Sequence, residues 1–228
     1  MIERSTVGGT CVNTGCVPSK ALLAAAEARH VAVDATGRFP GISTSAAPVD
    51  MGVLIDGKRS LVEGMRSDKY VDLAADYGWD LRQGTAVFAG TPEEPVLEIT
   101  GPDGTRDSLT AAHYLVATGS TPWAPPVPGL DEVNYLTSTT AMDLKRLPES
   151  LIVIGGNTVG LEQAQLFARL GTRVTVIEAL GRLAPGEEPE ISAAIEAVFA
   201  DEHIAVLTAA TVERVLAGGG HKLVSVRT

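Results

Sequence analysis

The stretch Leu151-Ile152-Val153-Ile154-Gly155-Gly156-Asn157-Thr158-Val159-Gly160-Leu161-Glu162 runs from four apolar residues through a glycine-bearing turn into a helical pattern. The apolar run reads as a buried strand, and Leu161 to Leu170 as a helix that stops at Gly171. Arg173 to Ile177 reads as a second strand, ending at Glu178. Strand, crossover helix and strand in this order make a βαβ unit. Such a turn lets a pyrophosphate approach backbone N–H groups at a helix N-terminus. Gly155 and Gly160 take the first and third glycine positions of G-x-G-x-x-G, whereas Asn157 takes the second and Gly156 comes one place early. Glu178 falls where a carboxylate would accept from adenosine ribose hydroxyls, which favours NADH, while nearby Arg182 keeps NADPH open. The competing reading is a strand–turn–helix corner without a ligand.

Toward the C-terminus, Glu190 to Asp201 reads as a helix and Ile204 to Leu207 as a third strand, and Gly218-Gly219-Gly220 separates two further strand-like runs. Toward the N-terminus, Thr121 to Leu130 holds four prolines and reads as a linker. Before it, Tyr114 to Ala117 reads as a short buried strand ending in Thr118-Gly119-Ser120. Val96 to Thr100 and Thr105 to Thr110 flank the turn Gly101-Pro102-Asp103-Gly104, and Gly84 to Phe88 reads as another strand. Helical patterns cover Ala21 to Val33 and Leu54 to Tyr77. Hydrophobic residues are 45% of the 228 and aromatics 4%, so the core is expected to be built of Ala, Val and Leu, as under helix-covered parallel sheets. A net charge of -10 argues against nucleic acid and anionic lipid as partners. No stretch is apolar for long enough to span a bilayer, and Met1-Ile2-Glu3-Arg4 has no apolar signal core, so a cytoplasmic location is the default expectation.

Two cysteines lie five positions apart in Gly8-Gly9-Thr10-Cys11-Val12-Asn13-Thr14-Gly15-Cys16-Val17-Pro18-Ser19-Lys20, and the chain has no others. A cysteine pair in a cytosolic chain is more often catalytic or metal-binding than structural. An ideal helix would separate their Cα atoms by a rise of roughly 7.5 Å, beyond the span of a disulfide. Asn13, Thr14 and Gly15 can supply the irregularity that brings them closer, and Pro18 fits the first turn of the following helix. A helix N-terminus favours the thiolate. Two inert buried cysteines are the bland alternative, and two thiolates alone leave a zinc site incomplete.

This cysteine segment resembles the flavin-dependent disulfide reductases of the class I pyridine nucleotide-disulfide oxidoreductase family. Leu115 to Trp123, Tyr135 to Met142 and Val153 to Gly171 match further family segments in the same order, and Val153 to Glu190 looks most like the mercuric reductases. The resemblance implies an α/β fold of two incomplete Rossmann-like units: an FAD-binding domain over 1–145, with a small antiparallel β meander, and an NAD(P)-binding domain over 146–228. It implies that Cys11 meets substrate and that Cys16 lies nearer the flavin. Lys20 would lie by the flavin and pair with Glu162. Glu3 would bind the FAD ribose and Ala86 would contact adenine through its backbone. Gly9 and Thr10, and separately Ala117, Thr118 and Gly119, would contact the FAD. Hydride would pass from NAD(P)H to FAD, then to the Cys11–Cys16 pair, with Hg(II) as substrate held by soft thiolates. Alternatives are a dihydrolipoamide dehydrogenase-like enzyme and a non-catalytic nucleotide- or thiol-metal-binding remnant. The family's first glycine loop and its C-terminal dimerisation domain find no counterpart here, and His30, His113, His203 and His221 do not fit the family's acid–base histidine. The chain is therefore expected to be a fragment of a homodimeric enzyme.

Overall fold

The computed structural model describes residues 1–228. In chain order the elements are β1 (Ile2–Glu3), α1 (Gly9–Asn13), α2 (Cys16–Arg38), α3 (Met51–Arg66), a wide helical turn (Ser67–Val71), α4 (Asp72–Asp76), β2 (Arg82–Gln83), β3 (Thr85–Gly90), β4 (Pro95–Thr100) and β5 (Arg106–Leu109). They continue as α5 (Ser138–Ala141), β6 (Ser150–Ile154), α6 (Thr158–Leu170), β7 (Arg173–Ile177), α7 (Pro189–Asp201), β8 (Ala205–Leu207), β9 (Thr211–Gly218) and β10 (His221–Arg227). The chain divides into two compact units, residues 1–18 with 59–121 and residues 19–58 with 122–228.

The first unit holds an antiparallel sheet in the order β3-β4-β5 and a two-residue parallel pair, β1 with β2. The meander expected from the resemblance is thus present. Its β4–β5 turn closes through Asp103, whose Oδ1 accepts from the Thr105 hydroxyl (2.7 Å) and the Thr105 N–H (3.1 Å). Those hydrogen bonds hold the Asp103 carboxyl below the usual carboxylate range.

Tyr114 to Ala117 does not form the expected strand. Leu115 is 93% exposed and Val116 65%. An apolar run becomes a strand only where a neighbour takes its backbone hydrogen bonds, and neither sheet of this unit extends to it. Only Tyr114 is anchored: its hydroxyl donates to the Pro95 carbonyl (2.7 Å) and accepts from the Ala111 N–H (3.0 Å), and its ring stands edge-on to Phe88.

In the second unit β6, β7 and β8 form a parallel sheet in that order, with Ile154 level with Ile177 and Ile177 level with Leu207. Helix α6 follows β6 because Asn157 caps its start, the side chain accepting from the Thr158 N–H at 2.8 Å. Gly171 ends it in the left-handed region (φ 117°), its N–H reaching the Phe167 and Ala168 carbonyls. Pro189 opens α7. Leu166, Phe167 and Leu170 of α6 bury against Val174 and Val176 of β7, Phe199 of α7, Leu22 and Ala26 of α2, and Ile55 of α3. The β9–β10 hairpin turns through Gly219 and Gly220, both at positive φ.

Charges fix how α2 lies on α6. Lys20 pairs with Glu162, and seven residues further along each helix Glu27 pairs with Arg169. Arg169 also grips Glu202 with Nε (2.9 Å) and Nη2 (2.6 Å), and Gln165 donates to the same carboxylate at 2.9 Å. Burial works to raise the Glu202 carboxyl, but the Arg169 hydrogen bond and charge, the His30 charge and the Gln165 hydrogen bond outweigh it, so its pKa is lowered. A lowered folded pKa stabilises above the unfolded value, and the benefit is lost as pH falls through the folded one. Arg169→Met is expected to cost about 2–3 kcal/mol at neutral pH, less than for a fully buried pair because Arg169 keeps some solvent contact. Urea unfolding at neutral and acid pH checks this: the deficit should shrink as Glu202 protonates, and a deficit independent of pH would contradict it.

Candidate active site

The cysteine segment is folded tightly within the first unit. Gly8, at φ 109°, precedes α1, which carries Cys11 and ends at Asn13. Thr14 leaves the helical region (φ −138°), and α2 restarts at Cys16 with Pro18 in its first turn. A Cβ on Gly15 would lie 3.0 Å from the Thr10 carbonyl oxygen and 3.4 Å from the Cys11 Cα, so the backbone returns on itself where the sequence suggested it would. The return brings Cys11 and Cys16 into hydrogen-bonding contact as thiols. That side-chain hydrogen bond, then burial, then Coulomb repulsion raise the Cys11 thiol above its ordinary pKa, and the Cys16 backbone N–H pulls the other way. The helix-end preference for thiolate is therefore overridden at Cys11.

Asn13 holds this loop in place. Its Nδ2 donates to the Val7 and Gly9 carbonyls, both at 3.0 Å, and its Oδ1 accepts from Arg66 Nη1 at 3.1 Å. Arg66, distant in sequence, is a supporting residue that the sequence alone does not reveal.

The expected FAD contacts other than Lys20 fall in the same unit. Glu3 ends β1, and its carboxylate accepts from the Ser5 N–H at 2.8 Å. Ala86 lies on β3, opposite Ile99. Gly9 (φ 70°) has open space where a side chain would stand. Gly119 (φ 74°) does not, since its Cβ would lie 3.1 Å from the Thr10 hydroxyl. The structure thus brings Thr10 together with the Ala117–Gly119 turn, and the small, backbone-rich surface they make fits a dinucleotide approaching main-chain groups. Ala117 and Thr118 are exposed.

In the second unit Lys20 and Glu162 form the expected ion pair. The glycine turn is similarly built. Gly155 (φ 107°) is open above its Cα, whereas a Cβ on Gly160 would meet the Gly155 carbonyl oxygen at 1.9 Å. Glu178, 8% exposed, accepts from the Gly156 N–H (2.7 Å) and the Leu180 N–H (2.8 Å), so it sets the turn's shape. An open first glycine, a closed third glycine, a capped helix start and a carboxylate at the next strand end together fit a dinucleotide.

These features are a paired-cysteine segment in the first unit and a glycine turn of the dinucleotide-binding type in the second. The chain belongs to the pyridine nucleotide-disulphide oxidoreductase family, whose model matches residues 1–228. It is 60% identical over 208 residues to a mercuric reductase of Streptomyces lividans, covering 91% of this chain and 43% of that protein. It is 37% identical over 209 residues to a dihydrolipoyl dehydrogenase of Chlorobaculum parvum, covering 90% of this chain and 43% of that one. An HOCl-induced flavoprotein disulfide reductase of Escherichia coli superposes with a TM-score of 0.81 at 27% identity, over 98% of this chain and 46% of that chain. The chain therefore spans less than half the length of the relatives it matches, and its α/β fold is that of flavoprotein disulfide reductases.

Proposed function

We propose that this chain is the dithiol- and dinucleotide-binding part of an NAD(P)H-dependent flavin disulfide oxidoreductase that reduces Hg(II). The contact between the Cys11 and Cys16 sulfurs carries this reading. Residues 1–145 are read as an FAD-binding domain and 146–228 as an NAD(P)-binding domain, each an incomplete Rossmann-like unit.

Glu3, Gly9, Thr10, Ala86, Ala117, Thr118 and Gly119 would hold FAD, with Lys20 at its reactive edge. Gly155, Asn157, Gly160 and Glu178 would hold the nicotinamide dinucleotide. When bound, the two cofactors supply hydride transfer and a two-electron relay. The chain's own residues do the rest. Exposed Cys11 and Cys16 present two sulfurs to a soft metal ion, and each gives up its proton on binding it. The Glu162 carboxylate fixes the direction of the Lys20 ammonium, one helical turn beyond Cys16. Gly15 and Asn13 hold the segment so that the sulfurs stay together. The higher identity to a mercuric reductase than to a dihydrolipoyl dehydrogenase favours Hg(II) over lipoamide. Homodimerisation of the whole protein, and a cytoplasmic location that keeps the thiols reduced, belong to the same reading.

The test is to carry the chain within a full-length protein of this family, load it with FAD and follow NAD(P)H oxidation with Hg(II) or lipoamide as acceptor. Retained flavin absorbance with Hg(II)-dependent oxidation is expected. Faster turnover with lipoamide would favour the dehydrogenase-like alternative. Tight Hg(II) binding without flavin retention or turnover would identify a thiol-metal-binding remnant.

A further inference from the structure

The two thiols stand on unequal supports. Cys16 opens the 23-residue α2, whereas Cys11 sits on α1, a helix of five residues. A helix that short does not hold itself in water. Its shape comes from Asn13 at its end. One amide hydrogen of Asn13 goes to the Val7 carbonyl before the helix and the other to the Gly9 carbonyl at its start, which leaves Oδ1 to accept. The start of α1 is thereby tied to its last residue.

Arg66 takes that remaining oxygen, its Nη1 donating at 3.1 Å from the end of α3. This bond decides which way the amide points. Turned over, the amide would set its oxygen against two carbonyl oxygens and its NH2 group against a guanidinium, and all three contacts would become repulsive. The wide turn after α3 adds a second support. A Cβ on Gly8 would lie 3.5 Å from Tyr70 Cδ2 and 2.5 Å from Val12 Cγ1. One stretch, Arg66 to Tyr70, therefore backs the cysteine segment at Gly8 and at Asn13, all within the first unit. Arg66 also faces the exposed Glu63, a looser contact at 3.7 Å.

We propose that Arg66 is a positioning residue for the dithiol, acting through Asn13 to hold α1 against the start of α2 and so to keep the Cys11 sulfur at Cys16. The inference rests on the reading of Cys11 and Cys16 as a redox pair and adds the residue that sets how readily the pair closes. Closure joins the two sulfurs in one S–S bond. Two protons and two electrons leave the thiols for an oxidised small dithiol, whose own S–S bond opens to two thiols. The more firmly the sulfurs are held together, the higher the effective concentration of one thiol at the other, and the more the disulfide is favoured.

Equilibrating the 228-residue chain in graded mixtures of oxidised and reduced dithiothreitol, then quenching and weighing the alkylated thiols by mass spectrometry, reads the closure constant without flavin. Arg66→Met keeps the aliphatic stem at a site 26% exposed. It is expected to lower the constant about tenfold, the worth of one hydrogen bond to a charged group, which raises the potential of the pair by about 30 mV. Arg66→Lys retains a donor for Asn13 Oδ1 and should lose less than about threefold, the scale of a weakened neutral hydrogen bond. Glu63→Gln leaves the Arg66–Asn13 bond in place and should keep the wild-type constant. In an Asn13→Ala background, Arg66→Met should change nothing further, because the two residues act as one. A wild-type constant in Arg66→Met, whatever its melting temperature, overturns the role. The full loss in Arg66→Lys also overturns it, and that result stands even if Asn13→Ala does not fold. The same loss in the Asn13→Ala background, or in Glu63→Gln, overturns it too. A wild-type chain that forms no Cys11–Cys16 disulfide at any ratio removes the redox reading of the pair and this inference together.

Discussion

Gly160→Ala is expected to unfold the glycine turn and to abolish dinucleotide binding. Two effects oppose each other. Alanine is favoured over glycine inside a helix by about 1 kcal/mol. Against that, the new Cβ would stand 1.9 Å from the Gly155 carbonyl oxygen and 3.1 Å from its carbon, a backbone group with no side-chain freedom to yield. Relief requires moving Gly155, whose N–H is bound to the Ile177 carbonyl at 2.8 Å, and that pulls on the junction between β6 and β7. Overpacking of this kind costs about 1–3 kcal/mol and occasionally more, and against a backbone oxygen the upper end applies, so sterics wins by a net loss of up to about 2 kcal/mol. Gly57→Ala in α3 is the control of opposite sign. An added Cβ there meets nothing within 4 Å, and a gain of up to about 1 kcal/mol is expected. Thermal melts of both variants, with ADP-ribose titrations, check the pair. A Gly160→Ala protein that melts and binds like wild type would mean that the turn is not built as described.

The contrast between these glycines marks how far the sequence can be read. The order strand, turn, helix, strand over 151–178 was legible because each boundary has a local chemical cause. Four apolar residues mark β6, Asn157 caps α6 and Gly171 stops it. The β9–β10 hairpin was legible through its glycines, and the β4–β5 turn through Gly101 to Gly104. Tyr114 to Ala117 misled because apolarity reports what a residue prefers, not whether a neighbouring strand is there to receive it. Partners far apart in the chain were not legible from spacing. Glu27 with Arg169, Arg66 with Asn13, and Arg182 with Ser192 meet only once the helices and loops are packed. Lys20 with Glu162 was expected on family resemblance, not on any pattern in the residues themselves. The place of Glu178 at a strand end predicts a ribose ligand. Its grip on the Gly156 and Leu180 N–H groups becomes visible only with the turn folded.

Removing either thiol is expected to have the largest effect on metal binding. Cys11 and Cys16 offer one ion two sulfurs from a segment already bent to hold them together, and soft thiolates are the donors that Hg(II) prefers. A second donor held in place raises affinity by about 10²–10⁴-fold over a single one, so Cys11→Ser and Cys16→Ser should each lose roughly that factor in competition titrations against small thiols. Lys20→Met should retain the binding, since Lys20 supplies no soft donor. The thiols differ in one further respect. The Cys11 proton is held by its hydrogen bond to Cys16, which raises the Cys11 pKa. In Cys16→Ala that restraint is gone, the Cys11 pKa falls toward the ordinary thiol value, and more thiolate is present at any pH below it. Alkylation of Cys11 at mildly alkaline pH should therefore be faster in Cys16→Ala than in wild type, with the pH profile displaced toward acid. An unchanged profile would separate the two sulfurs and leave the metal-binding loss without its chelating geometry. Equal Hg(II) affinity in wild type and both serine variants would remove the dithiol from the proposed chemistry altogether.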